Sequence, residues 1–77
     1  MPRITPVPWK VLECIFFKAG FEFERQEGSH RSYHKAGCLR PVIIPTYKEI
    51  DILIIRANMR SAGMTREEYF RYLSECL

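Results

Sequence analysis

Apolar residues recur at helical spacing from Val11 to Ala19. Val11, Ile15 and Ala19 fall on one stripe, with Leu12 and Phe16 beside it, which predicts an amphipathic helix. Its start reads at Thr5, because threonine caps free amides and Pro6 and Pro8 are tolerated in a first turn. Gly20 ends it, with Phe21 folding back onto the last turn. From Phe21 to Gln26 apolar and charged residues alternate. Phe21 and Phe23 then share one side of a half-buried strand, and Glu22 and Glu24 the other. Glu27, Gly28 and Ser29 form a short turn. His30 to Lys35 reads as a second strand, Ala36-Gly37 as a hairpin tip, and Leu39 to Ile44 as a third strand rich in β-branched residues. Pro41 puts that strand at an edge or at a gap in the ladder, and Pro45 closes it.

Beyond Pro45, Asp51 is placed to cap a helix that runs to Ala62 and stops at Gly63, with Ile52, Ile55 and Met59 as its buried stripe. Thr65 and Glu68 have the spacing of a capping box for a last, short helix to about Cys76. Tyr69, Tyr72 and Leu73 are available to pack from it. The order is helix, three strands, helix, short helix. That predicts an α+β domain: a three-stranded antiparallel sheet with its helices on one face and the other face open. At 77 residues, of which 47% are hydrophobic, the chain is one domain, 1–77, with one modest core.

A net charge of +3 does not mark a nucleic-acid binder. Its distribution says more. Between Arg25 and Lys48 lie basic residues, both histidines and a single acid, Glu27. A basic middle suits a polyanion, and an open sheet face with basic and aromatic residues suits nucleic acid. Cys14, Cys38 and Cys76 are odd in number and widely spaced, which gives neither a disulfide framework nor a zinc pair. Cys14 reads as a small hydrophobe in the first helix. Reduced thiols, no membrane-length apolar run and no signal-peptide pattern predict a cytoplasmic protein.

Gly28-Ser29-His30 is the most informative tripeptide. Glycine permits unusual backbone angles in the turn. Serine can hold the turn or donate to a phosphate. Histidine is the side chain best suited to moving a proton near neutral pH. Alternation along the second strand puts His30, Ser32 and His34 on one face and Arg31, Tyr33 and Lys35 on the other. Tyr33 belongs to the core, so the histidines belong to the open side. A rise of about 3.3 Å per residue separates His30 from His34 by roughly 13 Å, too far to share one phosphate on a straight strand.

Ala19-Gly20-Phe21 after a helix, Gly28-Ser29-His30, Tyr33 in a basic strand, Val42 to Pro45, and Arg60 to Met64 at a helix end occur in order at these spacings. This ordered set resembles the HicA toxins, over about Val11 to Phe70. The resemblance implies a double-stranded-RNA-binding-like α-β-β-β-α fold and a toxin of a type II toxin–antitoxin system. It implies an mRNA interferase, a metal-independent endoribonuclease that needs no cofactor. mRNA and a HicB-type antitoxin are then the partners. The family's functional histidine carries over onto His30. Many members have a second histidine just after the proline that ends the third strand, where this chain has Tyr47. The last helix is also longer than in the shortest members.

On that reading His30 takes a proton from a ribose 2′-hydroxyl, and Ser29, Arg31, His34, Lys35 and Arg40 contact RNA phosphates. A water, Tyr47 or His34 returns a proton to the leaving oxygen. Gly20 and Gly28 are structural turn residues. Two other functions fit the same pattern: an RNA-binding module that does not cut, and a protein-interaction domain using strand edges and the C-terminal helix.

Overall fold

The computed structural model describes residues 3–77. Helix α1 spans Trp9–Lys18, strands β1, β2 and β3 span Glu22–Glu27, His30–His34 and Val42–Pro45, and helices α2 and α3 span Ile52–Ala62 and Arg66–Cys76. The strands form one antiparallel sheet in the order β1-β2-β3. This is the expected α+β arrangement. The last helix, however, is as long as α2, and it packs on α1.

Local signals set most of the boundaries. The Asp51 carboxylate accepts from the Leu53 amide at the start of α2, and Gly63 closes that helix at φ 66°. Thr65 and Glu68 form the reciprocal capping box at the start of α3. Gly20, at φ 99°, turns the chain out of α1 and lets the Phe21 amide reach the Phe16 carbonyl at 3.0 Å. The Phe21 ring then meets Phe16 edge-on. A Cβ at position 20 would lie 3.2 Å from Cε of Lys35.

The first helix does not begin at Thr5. Its N-cap is Pro8, with extended backbone and no side-chain cap. A residue before proline is pushed out of the helical region. Pro6 and Pro8 therefore hold Thr5 and Val7 extended, and Val7 forms an isolated antiparallel bridge with Ile50. Ile4 and Val7 join the core with Leu12, Ile15, Phe16, Phe21, Tyr33, Val42, Ile44, Ile50, Ile55, Met59 and Tyr69.

The β1 expectation also needs correcting. Phe21 is buried, but Phe23 is 42% exposed, and no residue of β1 is buried. The strand lies at the sheet edge, and its register with β2 shifts between Phe23 and Arg25. The third strand starts at Val42 rather than Leu39, which is fully exposed in the preceding loop. Pro41 precedes the strand and leaves its ladder intact.

The cysteine expectation is overturned as well. Cys14 and Cys76 are joined in a disulfide, with their Cα atoms 5.9 Å apart, and Cys38 is free. Their separation of 62 residues hid the pairing. It depends on α3 folding back along α1, where Lys18 also pairs with Glu75 at 3.3 Å. Closing a loop of that length is worth about 4 kcal/mol on a chain-entropy model.

Candidate functional site at the β1–β2 turn

The turn between β1 and β2 has two residues, Gly28 and Ser29, closed by the Glu27–His30 pair. Gly28 has φ 58°, and among the described residues no non-glycine residue has a positive φ. A positive angle at the first turn position alone is the II′ pattern that glycine favours in tight hairpins. Ser29 fixes the turn to the neighbouring strand through its carbonyl, which accepts from the Thr46 amide at 2.7 Å and the Thr46 hydroxyl at 3.1 Å. His30 is thus held at the first position of β2, opposite Pro45.

His30 is exposed. Because Tyr33 pairs with buried Val42, the residues facing the core from β2 are Arg31 and Tyr33. His30, Ser32 and His34 leave on the outer side. A recess of about 270 Å³ opens beside His30, lined by Ile43, Pro45, Tyr47, Ile54, Ala57 and Asn58. Tyr47 is 47% exposed there. Its carbonyl accepts from the Trp9 amide at 3.3 Å, which anchors the loop after β3.

The α2 wall of this recess was not legible in the sequence. Asn58 is buried in an otherwise apolar cluster. Its side-chain amide accepts from the Ile43 amide at 3.4 Å and donates to the Ile43 carbonyl at 2.9 Å. Ile43 sits on an edge strand, and Asn58 satisfies the groups that a further strand would have met. That contact sets α2 beside His30. A polar residue between Ile55 and Met59 was the available signal.

The other named side chains do not gather here. Arg31 lies on the helix side of β2. It pairs with Glu13 at 3.0 Å, donates to the Tyr33 hydroxyl at 2.9 Å and to Gln26 at 2.8 Å, and stacks 4.1 Å from the Phe23 ring centroid. The Tyr33 hydroxyl donates in turn to Glu13. Burial, then the bond to Glu13, pushes the Tyr33 phenol up to about 12, and the bond to Tyr33 raises the Arg31 guanidinium. Lys35 caps the end of α1 by donating to the Ala19 carbonyl at 2.8 Å. Its cation also sits 5.9 Å from the Phe21 ring centroid, at the helix terminus where positive charge is favoured.

His34 pairs with Glu22 at the far end of β2, and Arg40 is exposed in the loop beyond it. The antiparallel register puts that loop at the opposite end of the sheet from His30. The outer face is therefore mixed in charge rather than basic and aromatic. Arg25 and Glu27 flank Ser32 and His30 there and pair with each other at 2.9 Å. Lys48, one residue beyond Tyr47, is exposed.

Fold and site together define a small α+β protein that presents one imidazole at a hairpin mouth, against a wall made by a helix. The family model of the HicA toxin of bacterial toxin–antitoxin systems matches residues 9–64, and the chain belongs to that family. No curated protein matches it. No helix among the described residues is long and apolar enough to cross a membrane.

Proposed function

We propose that this toxin is an endoribonuclease that cuts mRNA with His30 as its general base, and that a HicB-type antitoxin neutralises it. The observation that carries the reading is the exposed imidazole fixed at the turn mouth beside the Tyr47 recess. A nucleotide base packs in the recess against Tyr47, Ile54 and Ala57, since aromatic faces stack bases without regard to sequence. The neighbouring ribose then presents its 2′-hydroxyl to a ring nitrogen of His30. The imidazole takes that proton as the 2′-oxygen attacks phosphorus. The bond from phosphorus to the 5′-oxygen breaks, leaving a 2′,3′-cyclic phosphate and a 5′-hydroxyl. Water or the Tyr47 hydroxyl supplies the proton to the leaving oxygen. His34 is too far along the strand for that task.

Ser29 and Lys48 are the polar and cationic groups at this end of the sheet suited to phosphate oxygens. His34 and Arg40 suit a more distant part of the same strand. Arg31 and Lys35 we assign to holding the sheet on α1, because both are already engaged. An mRNA substrate carries a cytoplasmic location with it, where thiol buffers oppose the Cys14–Cys76 bond.

Induced expression tests the reading. Wild type alone should arrest growth, co-expression of the antitoxin should relieve it, and His30→Ala should permit growth at equal protein level. Arrest by His30→Ala equal to wild type would remove His30 from the mechanism. Wild-type RNA binding without cleavage would make the domain a binding module.

A further inference from the structure

Three arginines from separate parts of the chain meet on another side of α2. A recess of about 500 Å³ is lined by Arg3, Ile4, Thr5, Ile52, Arg56 and Arg66. Successive helical residues are about 100° apart, so Ile52 and Arg56 lie on the flank of α2 away from Ile54 and Ala57, which face His30. The two recesses are separate.

Three cations elsewhere are answered by acids: Lys18 by Glu75, Arg25 by Glu27, Arg31 by Glu13. Here no acid is among the described lining residues. Arg3 and Arg56 are exposed and have no hydrogen bond or ion pair among the described residues. Arg66 stacks on Phe70, 5.6 Å from the ring centroid. Like charges gathered in a concavity repel one another unless an anion joins them. The Arg3 and Arg56 guanidinium forks, beside the charge of Arg66, suit a tetrahedral phosphate better than a carboxylate, which has only two oxygens to receive them. The volume is in the range that takes a small organic ligand, and Ile4 and Ile52 supply apolar floor for the remainder of it. Arg3 and Arg66 both fall outside the matched residues 9–64.

We infer that this recess binds a nucleotide phosphate, either on a free nucleotide or within an RNA strand. The test does not depend on cleavage by His30. One probe is adenosine 5′-monophosphate. The other is a 2′-O-methylated oligoribonucleotide, which has no 2′-hydroxyl to attack. Titrations compare wild type, the double variant Arg3→Gln/Arg56→Gln and the charge control Lys10→Gln.

The double variant should bind the mononucleotide about tenfold more weakly, and the control within about twofold of wild type. An equal loss for the oligonucleotide, with a salt slope shallower by about 1.4 for two lost contacts, assigns the site to the RNA backbone. Loss for the mononucleotide alone assigns it to a free nucleotide. Amide resonances of Ile4, Thr5 and Ile52 should move when the mononucleotide is added to wild type. Unmoved resonances, unchanged binding of both probes by the double variant, or an equal loss in Lys10→Gln would overturn the inference.

Discussion

Arg31, Tyr33 and Lys35 leave β2 on the side of the helices, while His30 and His34 leave it on the other. On the helix side Arg31, Tyr33 and Lys35 all have partners. Arg31 is held by Glu13, Gln26 and Tyr33, and Lys35 by the end of α1. On the outer side His30 and His34 are exposed. A side chain already committed to several protein partners must break them to meet a ligand. An exposed ring at a fixed backbone position gives up little. Basic residues in one short stretch therefore divide by face, and charge counted along the chain says nothing about that division.

The comparison breaks first at Arg31. Arg31→Ala leaves a largely buried Glu13 with only Tyr33, and it removes the stacking on Phe23. We expect a loss of about 2–3 kcal/mol, or a Tm lower by about 10–20 °C, with RNA affinity of the folded protein unchanged. Arg31→Lys should recover part of the loss, since lysine restores charge but not the fork. An unchanged Tm with weakened RNA binding would place Arg31 in the functional set and dissolve the division between faces.

Asn58→Ala is expected to cost less, about 1–2 kcal/mol, because it leaves the Ile43 amide and carbonyl without their partner. Hydrogen exchange at the Ile43 amide should quicken with it. Retained protection there would mean that α2 is not held to the strand edge by Asn58.

A third effect is alkaline. Burial pushes the phenols of both Tyr33 and Tyr69 up to about 12, from 10.0. A folded-state pKa above the unfolded one means the protonated group favours the fold. That contribution is complete below about pH 10 and disappears as pH rises through about 12. Urea midpoints should be level up to about pH 10 and fall beyond it. Tyr69→Phe should reduce the fall, because its buried hydroxyl has no partner among the described residues. A midpoint flat to pH 12 would contradict the burial of these phenols.

Sequence reading succeeded where the determinants are local. Asp51, Gly63, and Thr65 with Glu68 are caps made within a few residues, and they set α2 and α3 as expected. Alternation assigned the two faces of β2 correctly. The same alternation puts Arg31 and Lys35 on the helix side, and the partners they find there come only with the fold. The helix start turns on a local rule, the restriction on a residue before proline, and the other differences are non-local. Pro6 and Pro8 favour the bridge from Val7 to Ile50 over a helical turn. Phe23 is exposed because its strand lies at an edge, which composition does not reveal. The Cys14–Cys76 bond and the Asn58–Ile43 contact both need the tertiary fold. At the site, His30 and Tyr47 could be named in advance, and the structure brings them to one recess. Ile54, Ala57 and Asn58 complete it from a helix whose approach no local pattern encodes.

Cleavage of a defined RNA by purified His30→Ala, beside wild type at equal folded concentration, bears most directly on the outer-face imidazole. The account predicts a rate lower by about 10²–10⁴-fold with an unchanged Tm. A rate within about threefold of wild type would contradict it.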